Sequence, residues 1–139
     1  MPESSQHLDL VQRIVDYVRI RFAGSKHLVT MHDLPGPIAC DKPPVIGTFR
    51  PDVYAIDAPL TRTIIGEAKT TLDLERDHSI EQLSAFFAYL LTQPSPTMIV
   101  AVPWQAKATA RSLLQMVGRR LEIRDAIELV VLDDVEVLR

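Results

Sequence analysis

A single cysteine, Cys40, occurs in the 139 residues. No internal disulfide can form, and a reducing compartment, the cytoplasm, is the simplest home. No apolar run approaches the roughly 20 residues of a membrane-spanning helix, and no basic-then-apolar stretch opens the chain, so neither a membrane anchor nor a secretory leader is expected. Positive charge is not in excess: the net charge is −3, which removes any global attraction to nucleic acid and leaves such binding to a local basic patch. Repeats and low-complexity tracts are lacking, and the four histidines, at 7, 27, 32 and 78, have no close metal-ligand spacing. What is present is ordinary for a globular chain, 47% hydrophobic and 24% charged, and fits one domain with one core over residues 1–139.

Periodicity supplies the elements. Residues 8–22 place Leu10, Ile14, Tyr17 and Val18 at helical spacing, with Gly24 as a stop. A short strand is expected at 27–31, and two more at 50–57 and 62–69. Residues 32–47 hold four prolines and two glycines; so long a loop is expected to border a functional cleft or a dimer contact. After the polar stretch 70–79, Ser79 is expected to cap a helix bearing Ile80, Leu83, Phe87 and Leu90 on one face. The apolar run 97–103 reads as a buried central strand, 104–121 as a helix and 126–132 as a last strand. This order predicts an α/β fold: a mixed central sheet flanked by helices, with an αβββαβ core plus a further helix and strand.

The hairpin 49–71 carries charges where a half-buried strand usually has none. Strand alternation puts Glu67 and Lys69 on one face. A turn centred between Pro59 and Leu60 sets Asp52 opposite Glu67, with Cβ atoms about 4.5–5.5 Å apart. Two carboxylates at that distance repel unless a cation separates them. Asp52, Glu67 and the carbonyl of Ala68 offer oxygen ligands of the kind Mg²⁺ takes, and Lys69, one pleat on, is placed to hold a water. The plainer alternative is that Lys69 simply pairs with a carboxylate while Asp52 is solvated at the strand edge.

"PD" at 51–52 followed by "EAK" at 67–69 resembles the signature of the PD-(D/E)XK nuclease superfamily, the restriction-endonuclease-like fold, whose shared αβββαβ core matches the element order over roughly residues 8–103. The resemblance implies that Asp52 and Glu67 are ligands of Mg²⁺, for which Mn²⁺ can substitute, and that Lys69 is the catalytic lysine. It implies a metal-dependent nuclease hydrolysing DNA phosphodiester bonds, with a homodimer or a larger multidomain partner completing substrate selection. The rival is a catalytically inactive restriction-endonuclease-like module that binds DNA or a partner protein; hydrolysis of another phosphoester is a third reading.

Two further family positions fit less closely. Many members carry an acid on the first helix, here Asp9 or Asp16. Some carry Gln followed four residues later by Tyr; here the pair is Gln82 and Phe86, with a tyrosine only at 89. Gln82 is thus a catalytic candidate, although Ser79 and Gln82 also read as a capping box. Core packing at a helix start is expected of Trp104, with base stacking the alternative. Arg50, on the Asp52 face, is expected to point toward a bound phosphate, and Lys107, Arg111, Arg119 and Arg120 form a modest basic patch.

Overall fold

The computed structural model describes residues 4–25, 27–36 and 40–138. Five strands form one mixed sheet in the order β1-β2-β3-β4-β5: β1 (Leu28–His32), β2 (Val53–Asp57), β3 (Thr63–Ala68), β4 (Pro96–Val102) and β5 (Glu128–Asp133). The first three are an antiparallel meander, and β3, β4 and β5 run parallel. The helices are α1 (Ser5–Arg21), the one-turn α2 (Thr71–Leu74), α3 (Asp77–Leu90) and α4 (Lys107–Arg120). The mixed α/β sandwich expected from the element order is what forms.

Alternation within the strands divides the core into two layers. Leu10, Ile14, Val15 and Val18 of α1 pack on Val53, Ala55, Ile64, Ile99 and Ala101. On the other face, Leu83, Phe86, Phe87 and Leu90 of α3 and Leu114 and Val117 of α4 pack on Tyr54, Ile65, Met98 and Val100. Each buried Val, Leu, Ile, Phe or Met among them contributes about 1.5–3 kcal/mol by leaving water. Strands β3 and β4 are covered on both faces, as parallel strands between helix layers must be.

Two local devices set the geometry of the hairpin's open end. At the β2–β3 turn, Asp57 accepts hydrogen bonds from the N–H groups of Thr61 (2.7 Å) and Arg62 (3.1 Å) and from the Thr61 hydroxyl. This clamp holds the hairpin in the expected register, Val53 opposite Gly66 and Tyr54 opposite Ile65. The second device is Gly66: a Cβ built there would lie 2.6 Å from Ile14 Cγ2. The absence of a side chain lets α1 settle directly on β3, and this carries the N-terminal turn of α1 to the end of the sheet.

Several expectations are corrected. Helix α3 begins at Asp77 with Arg76 as its N-cap, and Ser79 lies buried within its first turn, donating its hydroxyl to the Asp73 carbonyl. The capping box is formed earlier, by Thr70 and Asp73 around α2, which interrupts the polar stretch and makes a cap at Ser79 redundant. The helix expected over 104–121 is a 3₁₀ turn, Trp104–Ala106, followed by α4. Trp104 is not core; it is 56% exposed.

Candidate active site

The hairpin register brings Asp52 and Glu67 together at the open end of β2 and β3. The Asp52 N–H donates to Glu67 Oε1 and the Ala68 N–H donates to Asp52 Oδ2, both at 2.9 Å. Each carboxylate is therefore oriented by the other strand's backbone. Lys69 continues the face of Glu67, and its N–H donates to the Ala101 carbonyl of β4 at 2.9 Å. Because successive strand residues face opposite edges, Ala68 turns its backbone groups the other way, to the Asp52 side.

Lys69 Nζ lies 3.5 Å from Glu67 Oε2 and donates to Gln82 Oε1 of α3. Glu67 and Lys69 are 2% and 7% exposed, and Gln82 is buried beside them. With the cap at Ser79 removed, Gln82 is accounted for by its bond to Lys69. The four candidates, half-buried Asp52 and buried Glu67, Lys69 and Gln82, thus form one connected network drawn from the adjoining ends of β2 and β3 and from α3. Burial, followed by the neighbouring charge of Asp52, pushes the Glu67 carboxyl up to about 8, against the opposing pull of Lys69.

Sequence reasoning does not find His7. Its Nε2 lies 3.3 Å from Asp52 Oδ1, so the side chain that the first helix sends to the site is His7, not Asp9 or Asp16. Asp16 accepts from Gln12 at 2.9 Å, and both acids line a separate groove with Asp134. The signal is nonetheless present: Ser4 caps α1 by accepting from the His7 N–H, and His7 extends the Leu10, Val11, Ile14 stripe backward by three and four residues. A helix begun at residue 8 leaves it out.

The other candidates are mostly engaged elsewhere. Arg50 donates to the Pro43 carbonyl at 3.0 Å. Lys107 pairs with Asp133 (3.1 Å) and Glu136 (3.2 Å), so the patch on α4 is partly neutralised. His32 Nδ1 accepts from the Leu34 N–H, and the exposed Cys40 thiol donates to the His32 carbonyl at 3.2 Å. The loop 32–47 lies partly outside the described residues. Just beyond it, the Phe49 ring packs edge-on against His78 (ring centroids 5.2 Å) and Phe86 (6.4 Å), the α3 residues one turn either side of Gln82.

No group of three or more His, Cys, Asp or Glu is gathered to hold a metal among the described residues. The oxygen set present is two carboxylates and a backbone carbonyl, and Mg²⁺ commonly takes one or two carboxylates while keeping several waters. A buried Glu67 pressed against a second carboxylate is the environment such a cation relieves, so the residues fit a hard divalent ion. Compared with known proteins, the chain matches no family model, no curated protein and no solved structure. No helix of the described residues is long and apolar enough to cross a membrane.

Proposed function

We propose that the protein is a Mg²⁺-dependent nuclease that hydrolyses DNA phosphodiester bonds at the Asp52–Glu67 site. The observation that carries the reading is the convergence of half-buried Asp52 with buried Glu67, Lys69 and Gln82 into one connected network at the open end of the hairpin. Asp52, Glu67 and the Ala68 carbonyl are the groups that hold the ion; when bound, Mg²⁺ or Mn²⁺ polarises the phosphate and makes water a stronger nucleophile near neutral pH. Gln82 and Glu67 fix the Lys69 ammonium in place. From there it orients the attacking water and offsets the negative charge that develops as the water oxygen bonds to phosphorus and an ester P–O bond breaks.

One observation favours the rival, a catalytically inactive module of the same fold that binds DNA or a partner protein. Lys69 already pairs with Glu67, and His7 already lies beside Asp52, so the charges have protein partners without an ion. Incubation with plasmid DNA separates the two. The nuclease reading expects nicking that requires Mg²⁺ or Mn²⁺ and is lost in Asp52→Asn and Glu67→Gln. An intact plasmid with the parent protein and either ion leaves the binding module.

A further inference from the structure

A cavity of about 380 Å³ opens where the end of α4 turns into β5. It lies away from the candidate site: Leu129, in its wall, pairs with Met98 near the start of β4, whereas Lys69 is bonded to Ala101 near the end of that strand. The apolar wall is Leu114, Ile123, Leu129 and the bare backbone of Gly118, and the charged lining is Arg119, Glu122 and Arg124. Leu114 and Ile123 are buried, while the three charged residues are exposed. Arg21, Lys42 and Lys107 each pair with an acid on the surface. Among the described residues, none of Arg119, Glu122 and Arg124 has a hydrogen-bond or ion-pair partner for its side chain.

The backbone here carries strain that the fold does not need. The end of α4 closes with bonds from the Ile123 N–H to the Gly118 carbonyl (3.0 Å) and from the Glu122 N–H to the Arg119 carbonyl (3.1 Å). Glu122 takes the left-handed position of that closure, with φ of 54°, where glycine is the usual occupant. The next turn is closed by the Ala126 N–H on the Ile123 carbonyl (2.8 Å) and holds Arg124 at its first central position, with φ of 50°. Glycine fills that place without strain as well. Two successive glycine positions therefore carry long charged side chains, and both side chains line the cavity. Neither is paired within the fold, so their use lies outside it; strain kept in this way clusters where a chain meets a ligand.

The lining selects the ligand. An apolar wall gains by being covered with an apolar body, and a guanidinium offers a fork of N–H donors to a carboxylate or sulfonate. Two arginines against one glutamate leave a single surplus positive charge, which matches a singly charged head and disfavours the doubly charged head of a phosphate monoester. We propose that this cavity binds a small organic monoanion, its apolar body on Leu114, Ile123 and Leu129 and its head held by Arg119 and Arg124. The proposal does not rest on the nuclease reading.

Anilinonaphthalene sulfonate is a fluorescent probe of this class, and phenylnaphthylamine is the same ring system without the anion. The protein is expected to bind the sulfonate more tightly than the neutral dye, and octanoate is expected to displace the sulfonate more readily than octyl phosphate does. Arg119→Gln and Arg124→Gln should each weaken sulfonate binding by about tenfold. Arg120→Gln, which removes the same charge from the same helix outside the lining, should leave it unchanged. Arg124→Gly should lose binding equally while melting at or above the parent, because the strain is relieved. Equal affinity for the two dyes, equal displacement by octanoate and octyl phosphate, unchanged affinity in Arg119→Gln and Arg124→Gln, or an equal loss in Arg120→Gln overturns the proposal.

Discussion

The β2–β3 hairpin holds a carboxylate network at each end, and the two are built oppositely. At the turn, Asp57 accepts from a hydroxyl and two backbone N–H groups. The Thr61 hydroxyl first, aided by those N–H groups, holds its carboxyl below the ordinary range. At the open end, Glu67 is buried against the charge of Asp52, and its carboxyl is pushed upward. Donors that cluster around an anion make architecture; a second anion brought beside a buried one makes a place for a cation or a proton. The same strands do both, so the difference lies in the neighbours each end receives.

The largest effect expected from breaking this contrast is on chemistry. Asp52→Asn or Glu67→Gln should reduce Mg²⁺-dependent cleavage by about a hundredfold or more, the scale of losing a principal electrostatic group. Asp57→Asn should leave cleavage near the parent rate. Rates on a common DNA substrate check both, and equal losses at the two ends would erase the distinction.

Stability comes next. Lys69→Ala removes the cation beside buried Glu67 and should cost about 3 kcal/mol in urea unfolding above pH 8, where Glu67 is ionised. The cost should shrink near pH 5, where the carboxyl carries its proton. Gly66→Ala drives a methyl into Ile14 and should cost about 1–3 kcal/mol. A neutral Gly66→Ala would mean that α1 is not seated as described.

The pH profile sharpens the comparison. A raised folded pKa means that the folded chain holds the Glu67 proton more tightly than the unfolded chain does. Its contribution is present in full below the ordinary carboxylate range and fades as pH rises toward about 8. Asp57, with a lowered pKa, contributes above the ordinary range and loses its contribution as pH falls through the folded value. Melting curves against pH should lose, in Glu67→Gln, the decline that runs from the ordinary carboxylate range up to about pH 8, and in Asp57→Asn part of the acid decline. The smallest effect is at the turn itself: Leu60 adopts a left-handed φ of 54°, and Leu60→Asn should stabilise the fold by under about 1 kcal/mol.

Much of this contrast is legible in the residues alone. Strand alternation and a turn centred at Pro59–Leu60 are enough to set Asp52 against Glu67, because register is a local property of a hairpin. The buried run at 97–103 announces a central strand for a similarly local reason. His7 escapes such reasoning because its partner is distant in the chain, and because Ser4, not residue 8, starts the helix. Ser79 misleads because the Thr70–Asp73 box has already closed the polar stretch before it. Arg50 and Lys107 show the same limit: their charge is plain in the sequence, but the carbonyl or carboxylate that claims each is set by tertiary packing.

The central claim is that Asp52 and Glu67 form a divalent-cation site and not a closed salt-bridge network. Melting temperature with and without Mg²⁺, for the parent and for Glu67→Gln at pH 8, tests it most directly. Mg²⁺ is expected to raise the parent's Tm and to leave that of Glu67→Gln unmoved. A parent Tm indifferent to both Mg²⁺ and Mn²⁺ would contradict the claim.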